Sequence, residues 1–453
     1  MLIIASDIHL SDGTCSKSIS PSAFYLFADR LGEIARHASW RRDNRYRPIQ
    51  QIDLVLLGDI LDPIHSTRWL DTAPGDPTYV RPWSDPHNPV YARKLKEVTA
   101  AIIAKNKEGI GIFKKFSDEQ MIELMPAVRG GVPAKRATER IIPKVRIHYM
   151  IGNHDWYYGL PGAAFDAIRE EINDAIGLSN SADPFPYEIE SDSVLNDLFA
   201  QYRVFGRHGD YYDKFNYDPE QGRSAATLGD AFAMDVLNRY PVEVEKRLGN
   251  ELPPGIVDSL RKLVNVRPAL ATSLWISGQI KRYAGNPALE EELKRVWDDI
   301  CDEFLESPFV RSKDRPFLPD AVDFLEGAIK ISQVISFPTL NSLVAKIYGK
   351  FSEGISYTKN ALEEPAFKNK RADFVVYGHT HHHEVVSLDA LATTPAENQI
   401  YLNSGTWHSY YNLTVKNPED EKFIPYQAMT YLSFYKDDER GGRKFEAWSG
   451  VYA

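Results

Sequence analysis

The chain has 453 residues, 43% hydrophobic and 26% charged, an ordinary globular composition with length enough for about two or three domains. Its net charge of −10 excludes a globally basic surface of the kind that drives non-specific nucleic-acid binding. Cys15 and Cys301 stand alone with no C-x-x-C pair, so a disulfide framework and a thiolate metal site are both unexpected, and a reducing compartment is the natural reading. The opening MLIIASDIHL lacks a basic n-region, and no segment carries the 18 or so uninterrupted apolar residues of a membrane span. A cytoplasmic location is therefore expected.

In chain order, short apolar runs end abruptly in polar turns. LIIAS leads into Asp7, IDLVLL into Gly58-Asp59, VRIHYMI into Gly152-Asn153, YRVFG into Arg207-His208 and ADFVVY into Gly378-His379. Each has the length and β-branched content of a buried strand. Helical patterns lie between several of them, over 21–38, about 91–106 and about 162–176, and the alternation predicts an α/β layered sheet. Beyond 385 helical signal is scarce: QIYLNSGTW, AMTYLSFYKD and RKFEAWSGV read as strands, the last two joined by the DERGG turn, so this half of the sheet is expected to be largely antiparallel.

Two stretches exceed what plain connections need. Residues 63–143 are rich in proline and tryptophan, then helical and basic, and read as a long, partly helical insertion. Residues 211–371 read as a helical insertion or lid, leaving 1–210 and 372–453 as the core. Within the lid, Asn286-Pro287 caps a helix carrying Leu289, Leu293, Val296, Ile300 and Phe304 at helical spacing. A second amphipathic pair flanks Pro338, with Val322, Leu325 and Ile329 before it and Leu340, Leu343 and Ile347 after it.

The five strand ends share one chemistry, that of oxygen and imidazole ligands. They offer Asp7 and His9; Asp59; Asn153 and His154; His208; and His379 and His381. In an open α/β sheet such residues gather beyond the carboxyl ends of the strands, so positions remote in sequence can converge. A lone histidine is more often structural, but five motifs at five strand mouths form one joint signal. In VVYGHTHHHE, an extended loop would turn His379 and His381 to the same side, with His382 opposite. His383 would return about 6.5 Å further along, which selects His379 and His381 as ligands and leaves His383 as a substrate contact.

The order SDIHL, GDILD, GNHDW, RHGD, GHTH resembles the calcineurin-like metallophosphoesterase superfamily across residues 1 to about 410. That resemblance implies a layered β-sandwich flanked by helices and a hydrolase that cleaves phosphoesters with two divalent cations. The cations would bind the phosphoryl oxygens and acidify a water between them. It also implies Asp59 as the bridging ligand, Asp7, His9 and His381 on one ion, and Asn153, His208 and His379 on the other. Mn²⁺, or Fe, Zn²⁺ or Ni²⁺, suits such a thiolate-free set. By the same resemblance His154 protonates the leaving oxygen or stabilises the transition state, and Asp62 orients it. Asp155 is a supporting carboxylate.

Substrate identity is less specified. A small or lipid-linked phosphodiester or pyrophosphate is the leading expectation. The lid lies where UDP-diacylglucosamine pyrophosphohydrolases carry theirs, but those enzymes have arginine where this chain has His154. A nuclease is the alternative: SWRRDNRYR (39–47) interleaves arginines with Trp40 and Tyr46, although a solvated loop would look the same. Trp156 and Tyr157 could stack on a base or pack the lid, and His408 could reach the rim. A non-catalytic scaffold is the further alternative, against which the complete ligand set speaks. The GDILDPI and GNHDW sequences depart from the G-D-x-V-D-R-G and G-N-H-E signatures of serine/threonine phosphatases.

Overall fold

The structure, a computed structural model, describes residues 1–267, 272–283, 287–314, 357–388, 399–413 and 423–451, with isolated positions between 322 and 329. It is a mixed α/β fold built on two mixed sheets. In chain order the strands are β1 (Leu2–Ala5), β2 (Gln51–Leu57), β3 (Lys144–Met150), β4 (Val204–Gly206), β5 (Val266–Arg267) and β6 (Phe374–Tyr377). There follow β7 (His383–Ser387), β8 (Ile400–Ser404), β9 (Ser409–Leu413), β10 (Phe423–Gln427), β11 (Met429–Phe434) and β12 (Phe445–Gly450). One sheet has the order β12-β11-β1-β2-β3, another β4-β6-β8-β7, and a small third β10-β9-β5. β1, β2 and β3 run parallel, as do β4, β6 and β8, while β7, β11 and β12 join antiparallel.

Successive side chains of a strand point to opposite faces, and both faces of these strands are covered, which explains why the runs are mostly apolar. Leu2, Ile4, Val55 and Leu57 enter a core shared with β4, β6 and β8, where the Phe434 and Phe374 rings meet at 5.3 Å across the two sheets. Ile3, Ala5, Leu54 and Leu56 face the other way, onto helices α1 (Pro21–Ala38), α2 (Pro89–Lys105), α3 (Lys107–Ser117) and α4 (Ala163–Ile176). α1 begins where the sequence predicts, with Ser20 capping Ser22 N–H and Pro21 in the first turn. α2 starts slightly earlier than its apolar pattern, because Asn88 caps Val90 N–H and Pro89 suits the first position. Tyr91, Leu95, Val98, Phe113 and Phe116 of α2 and α3 lie in the same core as α1, so the helical part of 63–143 is built into the main body.

A helical lobe with its own core follows β4. Beyond α5 (Ser193–Gln201), which precedes β4, the lobe contains α6 (Leu228–Phe232), α7 (Arg239–Leu248), α8 (Ile256–Leu260), α9 (Thr272–Tyr283) and α10 (Pro287–Glu306). Leu289, Leu293, Val296, Ile300 and Phe304 are all buried there, as their spacing predicts. Val322, Leu325 and Ile329 are buried in the same lobe, whereas Leu340, Leu343 and Ile347 lie outside the described residues. The lobe is fastened to the main body: Asn238 Nδ2 donates to Ile64 O at 2.8 Å, Trp83 stacks on Phe309 at 5.2 Å, and β5 pairs with β9. No helix among the described residues is long and apolar enough to cross a membrane.

Candidate metal centre

Backbone pairing carries the strand ends past the formal sheets and brings the motifs together. Asp7 N–H donates to Gly58 O at 3.0 Å, His9 N–H to Asp59 O at 2.9 Å and Leu10 N–H to Ile60 O at 2.9 Å. The second sheet closes on the same point. The Asp7 carbonyl accepts from Trp407 N–H at 3.1 Å and Thr406 Oγ1 at 2.7 Å, and its carboxylate accepts from His379 N–H at 3.1 Å. Asp7, His9, Asp59, His379 and His381 all have left-handed backbone, with φ between 49° and 67°, and make up five of the eleven such non-glycine positions described. Strain concentrated in this way is a mark of functional sites. At Gly58, φ is +86°, and a Cβ there would stand 2.5 Å from His208 Nδ1, so only glycine fits.

Two adjoining groups result. In the first, His9 Nε2 faces His381 Nε2 at 3.1 Å, and Asp7 Oδ1 is 3.5 Å from His381 Nε2. In the second, Asp59 Oδ2 is 3.1 Å from His208 Nε2, and His379 Nδ1 is 2.9 Å from Asn153 Oδ1. Asp59 Oδ2 also lies 3.8 Å from His9 Nε2, so its carboxylate reaches both groups. Asp7, His9, Asp59, Asn153, His208, His379 and His381 are thus brought together. The route taken by the last two differs from expectation. The Gly378–His381 loop is curled, not extended, so His379 turns to Asn153 and His381 to His9 and Asp7.

The donor set fits a divalent cation. His208 Nδ1 is turned to Leu57 O at 3.0 Å, and its Nε2 is buried without a hydrogen bond, aimed at the Asp59 oxygen. Burial pulls the His9 imidazole down, yet Asp62, Asp7 and Asp59 outweigh it and hold it up at about 10. Burial pushes the Asp59 carboxyl up, but His208 and His154 override this and keep it well below the usual carboxylate range. A field that retains a proton on a buried imidazole attracts a cation for the same reason. Imidazole, carboxylate and amide oxygen without thiolate are ligands for first-row divalent ions.

Asp62 is the hub of a further group. Its Oδ2 lies 2.9 Å from His9 Nδ1, 2.7 Å from His65 Nδ1 and 3.1 Å from His154 Nδ1. Burial lowers the His154 basicity, but Asp62 and Asp59 reverse this and raise it, whereas for His65 burial prevails and the shift is downward. The His154 side chain is 18% exposed, more than most of its neighbours, and its N–H donates to Asp59 Oδ1 at 2.8 Å. Asp155 pins the turn: it accepts from Ile60 N–H at 3.0 Å, Gly152 N–H at 2.6 Å and Tyr149 OH at 2.7 Å.

Sequence reasoning missed His65, which sits three residues after Asp62, and Asp213, five after His208. Asp213 Oδ2 is 3.1 Å from His379 Nε2, while the other ring nitrogen faces Asn153. Carboxylates that orient a ligating imidazole typically carry ~10–100-fold in metal affinity. Asp213→Ala is therefore expected to weaken Mn²⁺ binding by a factor in that range, measured by titration calorimetry, with an unchanged melting temperature of the metal-free protein.

The expected substrate contacts fare differently. Trp156 and Tyr157 are 4% and 0% exposed and stack on each other at 4.3 Å, and Tyr157 is enclosed against Trp69 and Tyr91. Trp156 reaches a crevice of about 10 Å³ beside Asn153, room for one water and not for a base. Both pack the body of the fold. His383 opens β7, with Nδ1 2.9 Å from Asn403 O. His408 is buried, its ring 5.7 Å from that of His9, and its Nε2 is 2.7 Å from Asn265 Oδ1, which ties the helical lobe to the centre. No family model matches the chain, and no curated protein matches it significantly.

Proposed function

We propose that the chain is a metallophosphoesterase-like hydrolase that uses two divalent cations to cleave phosphodiesters or pyrophosphates. One observation carries this reading: Asp59 Oδ2 lies within 3.1 Å of His208 Nε2 and 3.8 Å of His9 Nε2, so a single carboxylate spans two ligand groups. A carboxylate oxygen has the charge and the lone pairs to serve both. Asp7, His9 and His381 would hold one ion, Asn153, His208 and His379 the other, with Mn²⁺ the leading candidate and Fe, Zn²⁺ or Ni²⁺ compatible. When bound, such ions supply Lewis acidity toward phosphoryl oxygens and make water nucleophilic at neutral pH.

The chain's own groups provide the rest. His154, whose basicity Asp62 and Asp59 raise against the effect of burial, donates to the leaving oxygen; its Nδ1 lies 3.1 Å from Asp62 Oδ2, which leaves Nε2 as the donating atom. His65 competes for the same Asp62 oxygen and restricts its rotation. Burial of Asp7, Asp59 and His208 excludes bulk water from the groups that would meet the phosphate. The test is elemental analysis of the purified protein, followed by parallel assays of an aryl phosphodiester, nucleotide-sugar pyrophosphates, cyclic nucleotides and DNA. About two equivalents of metal and turnover of at least one diester or pyrophosphate are expected; a metal-free protein inert toward all of them after Mn²⁺ addition refutes the proposal.

A further inference from the structure

The arginine-rich loop 39–47 has no part in the centre just described, and the fold gives it a partner that the sequence does not suggest. Tyr46 N–H donates to Gly131 O at 2.6 Å, binding this loop to residues 128–140. Together the two segments carry eight arginines and lysines against two carboxylates, on a chain whose net charge is −10. Arg41 and Arg47 are paired with Asp43, Asp438 and Glu439, and Arg140 reaches Glu123 at 3.9 Å. Arg42, Arg45, Arg129, Lys135 and Arg136 are exposed, and none has a carboxylate in ion-pair reach among the described residues.

Two of these cations, Lys135 and Arg136, line a cleft of about 830 Å³ together with Trp40, Val128 and Val132. Tyr46, itself buried, props the Trp40 indole edge-on at 5.5 Å and leaves it 37% exposed. Val128 and Val132, 45% and 48% exposed, form the rest of an apolar floor. The cleft precedes β2 and β3, at the opposite end of the sheet from the candidate metal centre, which a seven-residue strand sets about 20 Å away.

We propose that this cleft binds single-stranded nucleic acid, with the indole stacking on a base and the unpaired cations taking the flanking phosphates. An exposed, rigidly propped aromatic ring within an electropositive groove is the combination that sequence-tolerant single-strand binding requires. An acidic peptide would satisfy the cations and leave the ring without a planar partner. The inference stands apart from the phosphoesterase reading, because the cleft contains none of the candidate metal ligands.

The test uses the whole 453-residue chain in EDTA, so that binding is read without any contribution from the candidate metal centre. Fluorescence anisotropy of a labelled oligothymidylate of about 12 nucleotides should report binding that weakens with salt, losing about 0.7 in logarithmic slope per phosphate contacted. Trp40→Ala should weaken binding about tenfold and Trp40→Phe much less, while Arg45→Ala with Arg136→Ala should flatten the salt dependence. All three carry changes at exposed positions, and equal melting temperatures establish that they fold. No binding at low salt, or equal binding by wild type and variants, overturns the proposal. So does Trp40-dependent binding of polyglutamate or of phosphatidylserine vesicles in place of the oligonucleotide, which would identify another class of partner. Because EDTA removes divalent metal from the assay, a negative result leaves the hydrolase proposal untouched.

Discussion

Asp59→Asn is expected to reduce hydrolysis of an aryl phosphodiester by about 10³-fold or more, with Mn²⁺ supplied in excess. The reduction follows from charge alone, because the substitution keeps nearly everything else. Asparagine adopts the left-handed backbone as readily as aspartate, so the φ of +56° at this position is not disturbed. The side-chain oxygen can still accept from His154 N–H, now at 2.8 Å. What is lost is the negative oxygen that faces both His208 and His9. Metal-assisted stabilisation of phosphoryl charge amounts to several kcal/mol, and each ~1.4 kcal/mol is a factor of ten in rate. Measuring metal content beside kcat is informative here, since loss of metal and loss of rate should go together. A variant with wild-type rate would remove the bridge and with it the proposed function.

His154→Ala is expected to do the opposite with respect to metal. Its Nδ1 is directed at Asp62 and its ring stands 4.7 Å from that of His9; it shares a third ion-sized group with His9, Asp62 and His65 and lies outside the two groups spanned by Asp59. Turnover should fall by about 10²–10⁴-fold, the usual contribution of a positioned proton donor, while metal stoichiometry stays unchanged. The loss should be smaller for substrates with a good leaving group, such as a nitrophenolate, because these need little protonation. Parallel loss of metal would instead make His154 a ligand, and a loss independent of leaving group would assign it a role in binding the phosphate.

Much of the architecture is legible in the sequence because burial on both faces leaves an unbroken apolar run. β1, β2, β3, β4, β6, β8 and β11 fall within such runs, β12 is announced by the turn before it, and α1 and α10 declare themselves by caps and spacing. β7 escapes notice because it is an edge strand, half-exposed, that begins inside the histidine cluster; β5 is two residues long and exists only through β9. The candidate ligands could be found because each follows a strand end. His65 could not, because nothing in ILDPIHS announces that the bend after Asp62 folds its ring back to the same carboxylate oxygen. Asp213 lacked any local signal for the same reason, its partner His379 being 166 residues away. The curl of the 378–381 loop is likewise a tertiary effect, imposed by the Asp7 carboxylate on His379 N–H.

The left-handed backbone at five of the ligand positions has a consequence for how the molecule assembles. Each such residue costs roughly 1 kcal/mol in isolation, and the contacts that offset it join Asp7 to residues about 370–400 positions later. No short segment can therefore adopt its final geometry ahead of the rest. The strands and helices must dock first, and the candidate metal centre matures last, as a product of the completed fold.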